Sequence, residues 1–256
     1  MKTFLKENKY TLLLIITLFM IYNFGYKMFI IPSESMTNTM KVGDYFIGKK
    51  YEYGLRIPET YFFNLKMFPN INNNNYIYKR KNPEYKDIII FYQPLINKTF
   101  IKRCFAKEGD EILLKNDNAI YIHYENNKLN DKNKEYIIYK DKIWIKNPYM
   151  NEIKGIHYTK EEKNEYNLLY KLYFENYKQN NLIENKDWKK YLDFNKEKQY
   201  FTYKLKKDEY YMIGDNRNNS IDSRFFGPIK FKNIEAKAYK VIFNITEKGR
   251  FLKEVK

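Results

Sequence analysis

Three stretches of the sequence hold side chains capable of nucleophilic chemistry. Ile31-Pro32-Ser33-Glu34-Ser35-Met36 offers two hydroxyls, and Phe100-Ile101-Lys102-Arg103 sets a basic pair inside an apolar run. Gly214 to Arg224 reads GDNRNNSIDSR, dense in polar groups between apolar neighbours. A serine hydroxyl is a weak nucleophile and needs a base beside it. No histidine lies in any of the three stretches. A lysine can serve when it is neutral, and burial among apolar groups depresses its pKa toward that form. Ile101 and Phe105 flank Lys102 and suggest such a setting. Each stretch also has a plainer reading: a linker, an edge-strand lysine that blocks aggregation, and a solvated loop.

Positioning these groups requires strands. Asp44 to Gly48, Asp87 to Gln93, Thr99 to Ala106, Glu209 to Ile213 and Ala236 to Ile245 are rich in Ile, Phe, Tyr and other strand formers. Glu111 to Asn116 and Ala119 to Tyr124 predict a hairpin turning at Asp117-Asn118, residue types that tolerate left-handed backbone. Pro58 to Pro83, with its Asn72 to Asn75 tract, reads as an irregular solvated loop. Thr159 to Tyr177 predicts a helix. Thr159 and Glu162 have capping-box spacing, and Tyr166, Leu169, Tyr170, Tyr173, Phe174 and Tyr177 share one face. That stripe reads as core packing.

The first thirty residues form a different unit. Thr11 to Tyr22 is almost unbroken in apolar character, and Tyr10 to Ile31 is long enough to cross a bilayer, which takes ~20 helical residues. Lys2, Lys6 and Lys9 precede it, and positive flanks stay on the cytoplasmic side. A cleaved signal peptide would need small residues at its exit. Here the exit is Lys27-Met28-Phe29-Ile30-Ile31-Pro32, so an uncleaved single-pass anchor is expected.

Composition narrows the remaining classes. The chain has 256 residues and a formal net charge of +16, but its basic residues form no compact cluster and accompany no nucleic-acid motif. We read the surplus as lysines spread over solvated faces and expect no nucleic-acid partner. Cys104 is the single cysteine, which excludes an internal disulfide and a cysteine-based metal site. His123 and His157 lie in polar surroundings without ligand spacing. We therefore expect no metal centre.

Taken together, these segments resemble the type I signal peptidase family. The first matches its I-P-S-x-S-M box, and Asp87-Ile88-Ile89-Ile90-Phe91 matches G-D-I-V-V-F without the glycine. Ile101-Lys102-Arg103 and Gly109-Asp110 match the two ends of K-R-x-x-G-x-P-G-D. The last stretch matches G-D-N-R-D-N-S-x-D-S-R with one substitution, and the four boxes keep their order and spacing. The resemblance implies Ser35 as nucleophile and Lys102 as general base in an acyl-enzyme mechanism. It implies an oxyanion hole from the Ser35 N–H and the Ser33 hydroxyl, with Ser220 orienting the Lys102 amine. Asp222 and Arg224 would support the site as an ion pair, and Asp215 and Arg217 would hold the loop. Phe29, Ile31, Met36, Met40, Ile90, Phe100 and Ile101 align with positions that line shallow substrate pockets. The implied substrates are secretory preproteins with small residues at the first and third positions before the cut. Asn38, Met40, Lys86, Ala106-Lys107-Glu108 and Asn218 depart from the usual pattern.

The expected architecture is mainly β: a signal-peptidase-like catalytic core with an inserted α/β subdomain, preceded by one transmembrane helix. The expected divisions are a cytoplasmic 1–9, an anchor 10–31, a first core part 32–127, an insert 128–204 and a second core part 205–256. The catalytic domain would lie at the outer face of the cytoplasmic membrane, against membrane lipid. Two rivals differ. Soluble self-cleaving SOS-repressor domains share the Ser/Lys chemistry but lack the anchor and the long final box. A membrane-tethered basic binding module would have no reason to keep Ser35, Lys102 and Ser220 together.

Overall fold

A computed structural model describes residues 8–57, 61–62, 65–66, 75–94, 96–115, 120–123, 135–158 and 200–255. The chain begins with a helix, Lys9–Met20, continues through a π-helical turn, Ile21–Gly25, and then becomes strand. The helix buries none of its residues.

The main sheet has eight strands, all joined antiparallel. In sequence they are β1 (Tyr26–Ile30), β2 (Asp44–Lys49), β7 (Ile88–Gln93), β8 (Lys98–Ala106), β14 (Glu209–Ile213), β15 (Ile229–Lys230), β16 (Ile234–Asn244) and β17 (Lys253–Glu254). Their spatial order is β1-β2-β16-β7-β8-β14-β15, with β17 beside β16. Between β2 and β7 lie four short strands that form two hairpins: β3 (Gly54–Arg56) with β6 (Tyr76–Lys79), and β4 (Tyr61–Phe62) with β5 (Leu65–Lys66).

β7 is central because it can bury both faces. Its side chains alternate between two cores, since successive strand residues point to opposite sides. Ile88 and Ile90 join Ile31, Met36, Met40, Phe46 and Val241 on one face. Ile89 and Phe91 join Tyr53, Cys104, Tyr210 and Met212 on the other. Covering both faces is what makes the run Ile88-Ile89-Ile90-Phe91 continuously apolar rather than alternating.

A second sheet of five strands runs β11-β12-β10-β9-β13. It comprises β9 (Glu111–Lys115), β10 (Ile120–His123), β11 (Tyr136–Tyr139), β12 (Lys142–Lys146) and β13 (Tyr200–Lys204). Phe105, Ala106, Tyr211 and Ile213 of the main sheet pack with Ile112, Leu114, Ile120, Ile122 and Tyr203 of the second.

The mainly β class and all five expected long strands are present, each within two residues of the expected bounds. The expected hairpin partners also pair, Ile120 opposite Leu114 through His123 opposite Glu111, while their turn lies outside the described residues. Three expectations change. The apolar segment expected as one helix to Ile31 leaves helical geometry at Gly25, and Tyr26–Ile30 pairs with β2 from Tyr26–Lys49 to Ile30–Tyr45. The edge of β2 supplies the backbone partners that a helix would otherwise have to provide internally. The boundary expected at 127/128 falls inside the second sheet, because β9 and β10 pair there with β12 and β13. The sheets instead divide near the turn at Gly109. The loop expected over Pro58 to Pro83 contains β4, β5 and β6. The helix expected over Thr159 to Tyr177 lies outside the described residues. Among the described residues, no helix is long and apolar enough to cross a membrane.

Candidate active site

Ser35 sits in a single 3-10 turn, Glu34–Met36, directly after Pro32 and Ser33. The turn is pinned at both ends. Ile31 exchanges backbone hydrogen bonds with Asp44 (3.0 Å) and Gly43 (2.9 Å), and the Thr37 N–H returns to the Glu34 carbonyl at 2.9 Å. Met36 and Met40 are sunk in the core and hold the turn down. Ser35 itself is 7% exposed.

Lys102 comes from β8, opposite Ile89 of β7. It is 3% exposed, and its Nζ lies 2.6 Å from Ser35 Oγ. Burial pulls its pKa down to about 8, although the Asp222 and Asp215 carboxylates oppose that shift. Near neutrality the uncharged form is therefore a minority, but far more abundant than in a free lysine, and it can accept a hydroxyl proton. Ser33 Oγ stands 3.4 Å from Ser35 Oγ on the other side.

The third stretch leaves the end of β14 at Gly214. A side chain there would strike Ser220 Oγ at 2.1 Å and the Ser35 carbonyl at 2.7 Å, so only glycine lets this loop close against the nucleophile turn. The Gly214 N–H donates to Asp222 Oδ2 at 3.0 Å. Asp222 also binds Arg224 Nε (2.9 Å) and Nη2 (2.8 Å), entirely out of water. Burial works against the Asp222 charge, but the Arg224 guanidinium and the Gly214 N–H outweigh it and hold its pKa below the usual carboxylate value. The Ser220 hydroxyl adds to that field, yet among the described residues its oxygen meets no partner with hydrogen-bond geometry. The expected Ser220–Lys102 bond is thus not formed here.

Asp215 points the opposite way. Arg103 grips it twice, Nε at 2.8 Å and Nη2 at 2.7 Å, and Thr39 Oγ1 adds a third bond at 2.5 Å. Burial opposes the charge on Asp215 as well, and Arg103 overrides it to keep the carboxyl below its usual pKa. Backbone pairing completes the loop's attachment: His157 N–H donates to the Asp215 carbonyl, Arg217 N–H to the His157 carbonyl, and Asn216 N–H to the Ser35 carbonyl. Arg217 is buried with its guanidinium 5.8 Å from the Phe105 ring. No pattern in the sequence marks Thr39 or the His157 backbone, because their use depends on which loop packs beside them.

A cleft of about 270 Å³ opens over the Ser35–Lys102 pair. Its walls include Phe100, Ile101, Ile221 and Phe225, with Lys98 and Thr99 toward one end. Of the seven residues expected to line substrate pockets, only Phe100 and Ile101 reach this cleft. Ile31, Met36, Met40 and Ile90 are core residues, and Phe29 stacks on Phe46. They face inward because β1, β2 and β7 close a hydrophobic layer beneath the nucleophile turn. No group of metal-binding side chains occurs among the described residues.

Residues 5–243 match the sequence model of the family described as signal peptidase, peptidase S26. The chain belongs to the type I signal peptidase family. It is 34% identical to a signal peptidase I of Helicobacter pylori over 248 residues, covering 92% of this chain and 81% of that one. A signal peptidase I of Buchnera aphidicola is 33% identical over 239 residues, 90% of this chain and 72% of that one. A solved signal peptidase I from Enterococcus faecalis V583 gives a TM-score of 0.29 at 20% identity, covering 61% of this chain and 97% of that one. Membership makes this chain a serine endopeptidase of the class that cleaves signal peptides.

Proposed function

We propose that the chain cleaves the signal peptides of secretory preproteins with Ser35 as nucleophile and Lys102 as general base. The observation that carries this reading is the 2.6 Å approach of Lys102 Nζ to Ser35 Oγ in a buried setting. The neutral amine takes the Ser35 proton as Oγ attacks the scissile carbonyl. The resulting ammonium gives that proton to the leaving amine, which leaves an acyl-enzyme. Lys102 then deprotonates a water that attacks the ester and frees Ser35. Negative charge on the carbonyl oxygen is met by the Ser35 N–H and the Ser33 hydroxyl, donors that count most when charge develops in a dry site. The Asp222–Arg224 pair holds the loop beside the amine through the Gly214 N–H.

β14 pairs with β8 only at Arg103, Cys104 and Ala106, so 98–102 keeps one backbone edge beside the cleft. An extended peptide can add there as a strand. The apolar walls and small volume favour alanine, glycine or serine just before the cut, since a larger residue would have to displace packed atoms.

The same reading has the chain anchored in the cytoplasmic membrane as a single-pass protein by its apolar N-terminal segment, with the catalytic domain outside. Its support is the exposed apolar surface of Lys9–Met20 together with the lysines before it. Enzyme and substrate would then share one surface, which raises their effective concentration. The test is cleavage of a model preprotein by the purified full chain in detergent, beside Ser35→Ala. Equal cleavage by both proteins would sink the mechanism.

A further inference from the structure

The two charged side chains lining the cleft are Lys102, engaged with Ser35, and Lys98, at the far end of the same strand. Lys98 is exposed, and its side chain makes no hydrogen bond or ion pair among the described residues. Its position relative to the apolar helix follows from the sheet register. Tyr26 pairs with Lys49, Lys49 with Lys237, Lys237 with Ile89, and Ile89 with Lys102, so Tyr26 and Lys102 share one row. Gln93 and Lys98 pair beyond that row, on the side where the chain arrives from the helix. Two contacts fix the arriving segment at that end: Tyr26 OH with Tyr51 OH at 3.0 Å, and Lys50 Nζ with the Tyr22 carbonyl at 3.5 Å.

We infer that Lys98 is a specificity-determining residue that reads charge on the preprotein upstream of the cut, favouring an acidic side chain and disfavouring a basic one. The inference rests on the proposed function. If the substrate's apolar segment lies in the same bilayer, its chain enters the cleft from the helix side and passes Lys98 before reaching Ser35. Lys98 and Lys102 are separated by four strand steps, ~13 Å at the usual rise per residue. An extended substrate with its first residue before the cut at Ser35 therefore brings its fifth residue before the cut alongside Lys98. The carboxylate against this stretch, Glu235, accepts from Thr99 Oγ1 at 3.2 Å and is paired with Lys27 at 3.6 Å.

The test is a preprotein series carrying Glu, Gln or Lys at the fifth residue before the cut, with kcat/KM measured for the full-length wild type and Lys98→Glu in detergent at low salt. The wild type should prefer Glu over Gln and Gln over Lys by about two- to five-fold each, the scale of one exposed ion pair. The effect should lie in KM and shrink at 1 M salt, where screening is nearly complete. Lys98→Glu should invert the order of the three substrates, read as the ratios of kcat/KM within that variant. An unchanged order in Lys98→Glu, or no charge dependence in the wild type, overturns the role of Lys98 and leaves the proposed function intact. Equal cleavage of the Gln substrate by wild type and Ser35→Ala overturns the proposed function, and the inference falls with it.

Discussion

Arg103 binds Asp215 through two hydrogen bonds, at 2.8 and 2.7 Å, with both side chains out of water. Arg103 follows Lys102 on β8, and Asp215 follows Gly214 on the loop that also reaches Ser35. The pair therefore locks the base-bearing strand to the loop beside the nucleophile. Removing one partner strands the other charge in the interior, at a typical cost of about 3–5 kcal/mol. Arg103→Met and Asp215→Leu should each lower unfolding stability by that order, measured with denaturant. The double variant should recover part of the loss, because neither partner then faces the other's empty site, and only part because buried Arg217 still loses the Asp215 charge.

Activity should depend on Ser35 and Lys102 together. Ser35→Ala and Lys102→Ala should each abolish preprotein cleavage and labelling by a serine-reactive acylating probe. Ser33→Ala should retain activity reduced roughly 10²–10³-fold, the usual cost of one oxyanion donor. Normal turnover by Lys102→Ala would remove the lysine from the mechanism.

The pH profile should report the amine. Burial holds Lys102 at about 8, below the ordinary lysine value, and the unprotonated form is the active one. The acylation rate should therefore fall about tenfold per pH unit below 8 and level off above it. A free lysine would keep the rate climbing to ~10.4. Stopped-flow acylation between pH 6 and 10.5 distinguishes the two, and a limb ending near 10.4 contradicts the assignment.

Gly214→Ala should damage the site without touching a reacting group. The added methyl meets Ser220 and the Ser35 carbonyl well inside contact distance. Overpacking of this kind costs about 1–3 kcal/mol, and a shift of the Ser35 turn by ~1 Å costs further rate. The expected result is a folded protein with kcat lowered more than KM is raised. Wild-type kcat would show that the loop and the nucleophile turn have slack.

Asn38 occupies a position where proline is usual in the family, and its backbone φ is 75°. Proline is fixed near −65°, so it cannot take this conformation. Asn38→Pro should therefore destabilise the nucleophile turn and lower activity, whereas Asn38→Gly should be close to neutral. Thermal unfolding of the two variants checks this. A stabilising proline would mean that the turn can adopt another path. Lys86, which replaces the family's glycine, has a φ of 73°, a conformation glycine adopts freely. Its carbonyl accepts a hydrogen bond from Arg103 there, at 2.7 Å.

The sequence alone determined which residue types were available for chemistry and which runs would be strands. Period-two and continuous apolar patterns are local properties, so β2, β7, β8, β14 and β16 could be read directly, as could the three polar stretches. Tertiary structure decided everything that depends on distance across the chain. The 2.6 Å Ser35–Lys102 approach, the burial that lowers the Lys102 pKa, and the capture of Asp215 by Arg103 all come from neighbours far apart in sequence. It also decided that Ile31, Met36, Met40 and Ile90 form the floor of the fold while Ile221 and Phe225 join the cleft wall. Apolar residues beside a site look alike in a sequence. Which of them face the substrate depends on which side of the sheet each strand turns toward the core, and only the pairing register fixes that. The ending of the helix at Gly25 has the same origin: Tyr26–Ile30 is apolar enough to continue it, but the open edge of β2 offered its backbone a full set of partners.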